Sequence, residues 1–189
     1  VEGTALVHTV TLSGASAAPA TYSFSLAGVT ATAGSDFTNA PVFSDGVTLA
    51  AGIITVPAGV TSFTVTVPTT ADTTDEPAET TALVVGGVAA TGTINDDDAT
   101  PTITSVEPGA PGAGDDAVVE GTSLVYTVSL SNPSSVATTY PFSLGGGTAG
   151  ATDFTNAPVF SNGVTLAGGV ITVPAGVSPV TDTWPATDS

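Results

Sequence analysis

The side chains of this chain that could do chemistry are carboxylates, and most of them lie in three clusters. The clusters are Asp72, Asp75, Glu76 and Glu79; Asp96, Asp97 and Asp98; and Asp115, Asp116 and Glu120. Two carboxylates about 4 Å apart repel by about 1 kcal/mol in water and by about 4 kcal/mol at an effective dielectric constant of ~20. A divalent cation removes that repulsion, and oxygen ligands alone indicate a hard ion such as Ca²⁺. The clusters therefore predict calcium sites, and solvated loop carboxylates that keep the protein soluble are the alternative.

The composition strengthens this interpretation, because the chain has 17 acidic residues, one His, and neither Lys nor Arg. Carboxylates without basic partners must face water or bind cations. Nucleic-acid binding is excluded, because basic side chains are needed to displace counterions from phosphates. An anionic membrane surface is an equally poor partner. No apolar run reaches 18 residues, so no membrane insertion is expected. Four further acids, Asp45, Glu107, Asp182 and Asp188, are interpreted as plain turn or surface residues.

An internal repeat organises the chain. Val1–Thr4 recurs as Val119–Thr122, and Phe37–Ser44 recurs as Phe154–Ser161. The offset is 118 residues at first and 117 after a one-residue slip near Thr148. This period suits one domain of a tandem array and is too long for a solenoid repeat. Domains in series usually provide length or multivalency.

Alternating apolar residues predict the elements that must position the carboxylates. Inward faces are predicted for Leu6, His8, Val10 and Leu12; for Tyr22, Phe24 and Leu26; and for Leu124, Tyr126, Val128 and Leu130. Ile53 and Thr55 mark a later strand, as do Phe63, Val65 and Val67. Period-two alternation with turns every 8 to 14 residues indicates an all-β fold of tandem immunoglobulin-like antiparallel β-sandwiches, with almost no helix. Asp45-Gly46 and Asn162-Gly163 predict tight hairpins.

The domain boundary is predicted near residue 98, after the acidic run Asp96–Asp98. Ala99–Val106 then forms the first strand of the second domain, and Pro108–Gly114 forms a loop inside it. With this boundary, the first domain is predicted to span residues 1–98 and to lack its opening strand. The second is predicted to span residues 99–189 and to lack its last strands. The end of the chain, Thr183–Ser189, departs from the first copy. The sequence is expected to be a piece of a longer protein.

Four motifs in order carry a family resemblance. They are Val1-Glu2-Gly3-Thr4, Gly34-Ser35-Asp36-Phe37, Asp72 with Asp75-Glu76-Pro77-Ala78-Glu79, and Gly92-Thr93-Ile94-Asn95-Asp96-Asp97-Asp98. The set resembles the Calx-beta domain and, more closely, the immunoglobulin-like extender repeats of giant type I-secreted adhesins of bacteria, the biofilm and ice-binding RTX class.

The resemblance implies Ca²⁺ at one end of each sandwich, where it meets the next domain. The implied ligands are Glu2, Asp36, Asp72, Glu76 or Glu79, and Asp96 to Asp98. Glu120 and Asp153 begin the same site in the second copy, which lacks both later motifs and should be incomplete.

Catalytic sites are poorly supported. A Ser-His-Asp triad would need His8, but the second copy has Tyr126 in its place, so aromatic packing accounts better for this position. Asp72 and Glu76 could be paired acids for glycoside hydrolysis, but no aromatic-lined cleft accompanies them. The chain is therefore predicted not to be an enzyme.

These patterns predict a structural extender module of a calcium-dependent adhesin on the bacterial cell surface. Its partners would be adjacent identical domains, and the distal ligand would bind elsewhere. A module that binds a carbohydrate or a protein is the alternative. A subunit of an extracellular fibre assembled by strand exchange is another.

Overall fold

The computed structural model describes residues 1–110, 117–145, 147–150, 152–155 and 157–185. Every regular element within these ranges is a β-strand, and all strand pairs are antiparallel. The predicted all-β class is thus confirmed. No helix in the described part of the chain is long and apolar enough to cross a lipid bilayer.

The chain divides into two compact units. The first consists of Val1–Asp72 and Pro77–Asp97, and the second of Thr73–Glu76 and Asp98–Ser189. A short segment that precedes the last two strands of the first unit in sequence therefore belongs to the second unit.

The first unit is a sandwich of two antiparallel sheets. Its strands are β1 (Leu6–Thr11), β2 (Ala20–Gly28), β3 (Val42–Phe43), β4 (Thr48–Ala50), β5 (Ile53–Val56), β6 (Ser62–Val67), β7 (Glu79–Val85) and β8 (Val88–Ile94). One sheet has the order β1-β6-β3 and the other β4-β5-β2-β7-β8. Side chains of both sheets form one core, in which Phe37, Ile54 and Val65 are completely buried. Alternating β-branched residues favour such strands because one face packs inward.

The second unit repeats this arrangement in part. Its strands are β9 (Ile103–Pro108), β10 (Leu124–Leu130), β11 (Thr138–Pro141), β12 (Val159–Phe160), β13 (Thr165–Ala167), β14 (Val170–Val173) and β15 (Val180–Trp184). The sheets have the orders β12-β15-β10-β9 and β11-β14-β13. The core contains Val128, Val164, Ile171, Val173 and Val180.

The segment that departs from the repeat at the end of the chain still forms the expected strand. Leu124 pairs with Trp184 as Leu6 pairs with Val67, so β15 is the equivalent of β6. Trp184 thus stands where the first unit has Val67, and Asp182 where it has Val65. The sequence differs while the pairing is kept, because outward and inward positions still alternate along β15.

The two predicted hairpins at Asp45-Gly46 and Asn162-Gly163 are wrong, although the predicted positive φ is correct. Asp45 and Gly46 have φ of 55° and 72°, and Asn162 and Gly163 have φ of 55° and 74°. Each pair joins strands that belong to different sheets. Two-residue hairpins lie instead at Ala51-Gly52, Gly86-Gly87 and Gly168-Gly169, where both residues also have positive φ.

Two strand predictions need smaller corrections. The strand marked by Ile53 and Thr55 exists, but its buried residues are Ile54 and Val56. Consecutive isoleucines make the face ambiguous from the sequence, and packing against the other sheet decides it. The first strand of the second unit covers Ile103–Pro108 rather than Ala99–Val106, because β10 supplies its partners from Tyr126 to Leu130.

Candidate metal centre

Glu2 lies in the turn that precedes β1 and is brought to the end of β8. Its backbone N–H donates to the carbonyl of Asn95 at 2.9 Å, which connects the start of the first unit to the residue after β8. The Glu2 side chain is 8% exposed. One of its carboxylate oxygens lies within 4.8 Å of a carboxylate oxygen of Asp96. Two acids that are far apart in sequence therefore converge at one end of the sandwich.

Asp36 forms a second pair with Glu79, the first residue of β7. Their carboxylate oxygens lie within 4.8 Å of one another, and Asp36 is 7% exposed. The backbone N–H of Thr32 donates to Oδ2 of Asp36, and the N–H of Asp36 donates to the carbonyl of Thr32 at 3.0 Å. The N–H of Thr70 donates to the carbonyl of Asp36 at 2.9 Å. Hydrogen bonds with Thr32 and Thr70 thus fix the position of Asp36.

Both pairs fit the ligand chemistry of Ca²⁺. Calcium takes oxygen ligands at about 2.3–2.6 Å, so two ligands on opposite sides of one ion are about 5 Å apart. Separations of no more than 4.8 Å between the carboxylate oxygens of each pair are compatible with that span. The donors are carboxylates, and the chain has no Lys or Arg that could neutralise them. A calcium ion at either pair would bind with Glu2 and Asp96, or with Asp36 and Glu79, among its ligands.

Asp75, another predicted ligand of the first copy, makes its hydrogen bonds with residues of the second unit. Asp75 is bound within the second unit, where its Oδ2 accepts from the Ser134 hydroxyl at 2.7 Å and its Oδ1 from the Thr100 hydroxyl at 3.3 Å. Glu76 and Asp98 are part of the second unit. Asp72 and Asp97 join no group of three candidate ligands among the described residues. Their roles as ligands stay predictions.

Among its described residues, the second copy keeps the start of the site. The backbone N–H of Gly150 donates to Oδ2 of Asp153 at 2.6 Å, as Thr32 does to Asp36. The spacing is three residues instead of four, which is the one-residue slip of the repeat. Glu120 is exposed, unlike Glu2. Asp115 and Asp116 lie outside the described residues.

Asp182 is not a surface residue, and this prediction was wrong. Its side chain is 3% exposed, and Oδ2 accepts from the indole N–H of Trp184 at 2.7 Å. Burial raises the pKa of this carboxyl above its ordinary value of 3.8, and the hydrogen bond from Trp184 opposes the rise in part. The signal available in the sequence was its position, since the alternation of Val180, Asp182 and Trp184 places all three on one face.

His8 lies on β1 opposite Val65, and its ring is half-buried. Its Nε2 is buried without a hydrogen-bond partner among the described residues. The pairing with a core valine supports packing as the role of this position.

No family model matches the chain, and no curated protein matches it. Among solved structures it is similar to the calcium binding domain CBD12 of CALX1.1, at 17% identity and a TM-score of 0.38, over 98% of this chain and 70% of that one. It is also similar to CBD12 from CALX1.2, at 16% identity and a TM-score of 0.39, over 96% of this chain and 69% of that one. Domains 4–9 of the surface layer protein SbsC match at 13% identity and a TM-score of 0.24, over 99% of this chain and 31% of that one.

The resemblance to the Calx-beta domain rests on the four sequence motifs. The adhesin part of the resemblance stays a prediction.

Proposed function

We propose that this chain is a calcium-binding structural module, an extender segment of a bacterial cell-surface adhesin in which Ca²⁺ stiffens a tandem array of sandwiches. The observation that carries the proposal is the convergence of Glu2 with Asp96 and of Asp36 with Glu79 in a chain without Lys or Arg. Both pairs combine a buried carboxylate with a second acid, and a bound cation offsets the cost of bringing such groups together.

Each pair has a further carboxylate close to it along the chain. Asp98 follows Asp96 by two residues, and Glu76 precedes Glu79 by three. In this proposal calcium acts mechanically, by making consecutive domains of the array a stiff spacer that projects a distal binding domain from the cell.

The test is a calcium titration of the full chain. Extracellular modules bind Ca²⁺ with Kd of about 10⁻⁴ to 10⁻³ M. At about 100 times Kd the bound ion would stabilise the folded state by about 2.7 kcal/mol. We expect the thermal midpoint to rise with Ca²⁺ and to fall on addition of EGTA. Small-angle scattering should show a longer, stiffer particle with Ca²⁺. An unchanged midpoint together with an unchanged scattering length contradicts the proposal.

A charge-matched control separates binding from general neutralisation. Glu2→Gln and Asp36→Asn each remove one negative charge from a pair and should weaken the calcium response. Asp45→Asn removes the same charge from an exposed turn, where the Asp45 carboxylate accepts from the Ser44 hydroxyl. Asn also adopts the positive φ of this position readily. This variant should respond to calcium like the unchanged protein.

A further inference from the structure

A short segment that lies between β6 and β7 in sequence is built into the second unit. This segment, the strap, is Thr73–Glu76, and its residue Asp75 forms a parallel β-bridge with the middle of the acceptor loop, Pro133–Ser135. The backbone N–H of Asp75 donates to the carbonyl of Pro133 at 3.1 Å, and the N–H of Ser135 donates to the carbonyl of Asp75 at 2.9 Å. Two backbone hydrogen bonds therefore hold the strap on the acceptor loop.

The side chain of Asp75 adds two hydrogen bonds to those of the backbone. Its Oδ2 accepts from the Ser134 hydroxyl at 2.7 Å, and its Oδ1 accepts from the Thr100 hydroxyl at 3.3 Å. Hydrogen bonds to an ionised acceptor are stronger than those between neutral groups. Ser134 is 5% exposed, so the shorter bond is shielded from water. Backbone pairing alone accepts almost any residue, whereas this side-chain contact favours aspartate.

The first unit contains the same loop without a strap. Ser16 is the equivalent of Ser134 in the repeat, is exposed, and takes part in no isolated β-bridge in the described part of the chain. Its carbonyl accepts from the N–H of Gly59 at 2.9 Å, as the carbonyl of Ser134 accepts from the N–H of Gly176 at 2.8 Å. In both loops the serine Oγ also accepts from the N–H two residues further on, at 3.3 Å and 3.2 Å. The loop thus makes the same internal contacts with and without a strap.

We propose that the acceptor loop is a preformed binding site for an aspartate-bearing segment, and that the strap occupies it and is selected by the Asp75 carboxylate. Because the internal contacts of the loop do not involve the strap, the strap can open locally while the loop keeps its form. The second unit then takes part of its stability from residues that precede residue 98, so its stable core module extends beyond the boundary of the sequence repeat.

Amide hydrogen exchange of the full chain, resolved by NMR, tests whether the Asp75 side chain holds the strap. Asp75→Ala keeps the backbone carbonyl that accepts from Ser135 but removes both side-chain hydrogen bonds. We expect exchange at the Ser135 N–H to accelerate about 10-fold or more, because the strap opens more often. Exchange at the Gly176 N–H, which donates to the Ser134 carbonyl, should accelerate much less.

Two outcomes of this experiment overturn the proposal. Unchanged exchange at Ser135 would show that the Asp75 side chain does not hold the strap. Equal acceleration at Ser135 and Gly176 would show that the acceptor loop loses its form together with the strap and is not preformed. The measurement is made in EGTA, so its result does not depend on the proposed calcium function.

Ser16→Ala is the matched control for Ser134→Ala. Each substitution removes a serine Oγ that accepts from the N–H two residues further on, but the Ser134 hydroxyl also donates to a carboxylate. Ser134→Ala should accelerate exchange at Ser135, whereas Ser16→Ala should leave exchange at Ala17, the equivalent amide, unchanged. Equal acceleration in the two loops would assign the effect to the loop instead of the strap and would overturn the proposal.

A double-mutant cycle tests the contact between the two side chains. Asp75→Ala and Ser134→Ala should each lower the urea midpoint of the second unit, followed through Trp184, which is the only Trp and is buried in this unit. The double variant should lose less than the sum of the two single losses, because both substitutions remove the same hydrogen bond. Strictly additive losses would overturn the selection of the strap by Asp75.

Discussion

Among single residues, Asp182 marks the sharpest chemical difference between the two copies. The first copy places Val65 at this point, completely buried, and the second places a carboxylate there with 3% exposure. Trp184 donates one hydrogen bond, which leaves the other oxygen without a partner among the described residues. The protonated form of this group suits the fold better than the charged form, because desolvation penalises the charge.

The raised pKa of Asp182 therefore predicts that the second unit loses stability as pH rises. Its folded-state pKa is raised above the ordinary value of 3.8, so between that value and the raised pKa the folded state binds more protons than the unfolded state. The free energy of unfolding should fall with rising pH across this window. Urea unfolding followed by Trp184 fluorescence between about pH 3 and pH 8 measures it. In Asp182→Asn the part of the fall that comes from Asp182 should be absent, and the unit should be more stable at neutral pH by about 1–2 kcal/mol.

The other carboxylates titrate in both proteins, so the difference between the two curves isolates Asp182. Asn keeps an oxygen that can accept from the indole of Trp184, which preserves this contact. Parallel pH curves for the two proteins would contradict the raised pKa.

Two substitutions of Asp36 should distinguish a structural role of this residue from a role in metal binding. Its Oδ2 accepts from the N–H of Thr32, and its carboxylate also approaches Glu79. Asp36→Asn retains an acceptor but removes the charge, so stability in EGTA should be nearly unchanged while the calcium response weakens. Asp36→Ala loses both and should cost about 1–2 kcal/mol in EGTA as well. Thermal unfolding with and without calcium distinguishes them. Equal behaviour of the two variants in EGTA would show that the hydrogen bond does not matter.

Among the structural elements, the turn after β2 depends on a glycine. A Cβ added to Gly28 would lie 1.7 Å from the backbone carbonyl oxygen of Ala31. That carbonyl cannot move aside easily, because the N–H groups of Val29, Thr30 and Ala31 all donate to the carbonyl of Thr80. The same loop continues to Asp36, so the close approach also positions a candidate calcium ligand.

Gly28→Ala should therefore destabilise the first unit by about 1–3 kcal/mol or more, as overpacking does. It should also weaken the calcium response, because Asp36 must shift with the loop. Gly14→Ala is the matched control, since a Cβ there meets nothing within 4 Å. Chemical unfolding of both variants measures the difference. A midpoint for Gly28→Ala equal to that of Gly14→Ala would contradict the close approach.

Strands were predictable from the sequence where apolar residues alternate, as in β1, β2, β6 and β10. The prediction failed where alternation is ambiguous or where a turn signal carries no pairing information. Ile53 and Ile54 are equally apolar, so only the opposite sheet decides that Ile54 is buried. Asp45-Gly46 has the backbone conformation of a hairpin turn, but its flanking strands pair with β6 and β5 and not with each other.

For the chain as a whole, the net charge of −17 sets the response to salt. Like charges repel more in the compact folded state than in the expanded chain, and salt shortens the range of that repulsion from about 30 Å at 0.01 M to about 8 Å at 0.15 M. In EGTA, raising KCl between these concentrations should increase the thermal midpoint by about 2–5 °C. Calcium added at constant ionic strength should produce a further rise. A midpoint that does not depend on KCl would contradict self-repulsion as a destabilising force.

The repeat, the all-β class and the lack of basic partners for the carboxylates could all be read from the sequence, because they follow from composition and from period-two alternation. Folding in three dimensions was needed to bring Glu2 to Asp96, to bind Asp75 to Ser134, and to bury Asp182. The physical reason is that local pattern specifies a strand and its faces, whereas the contacts between distant strands and loops depend on how whole sheets pack and pair.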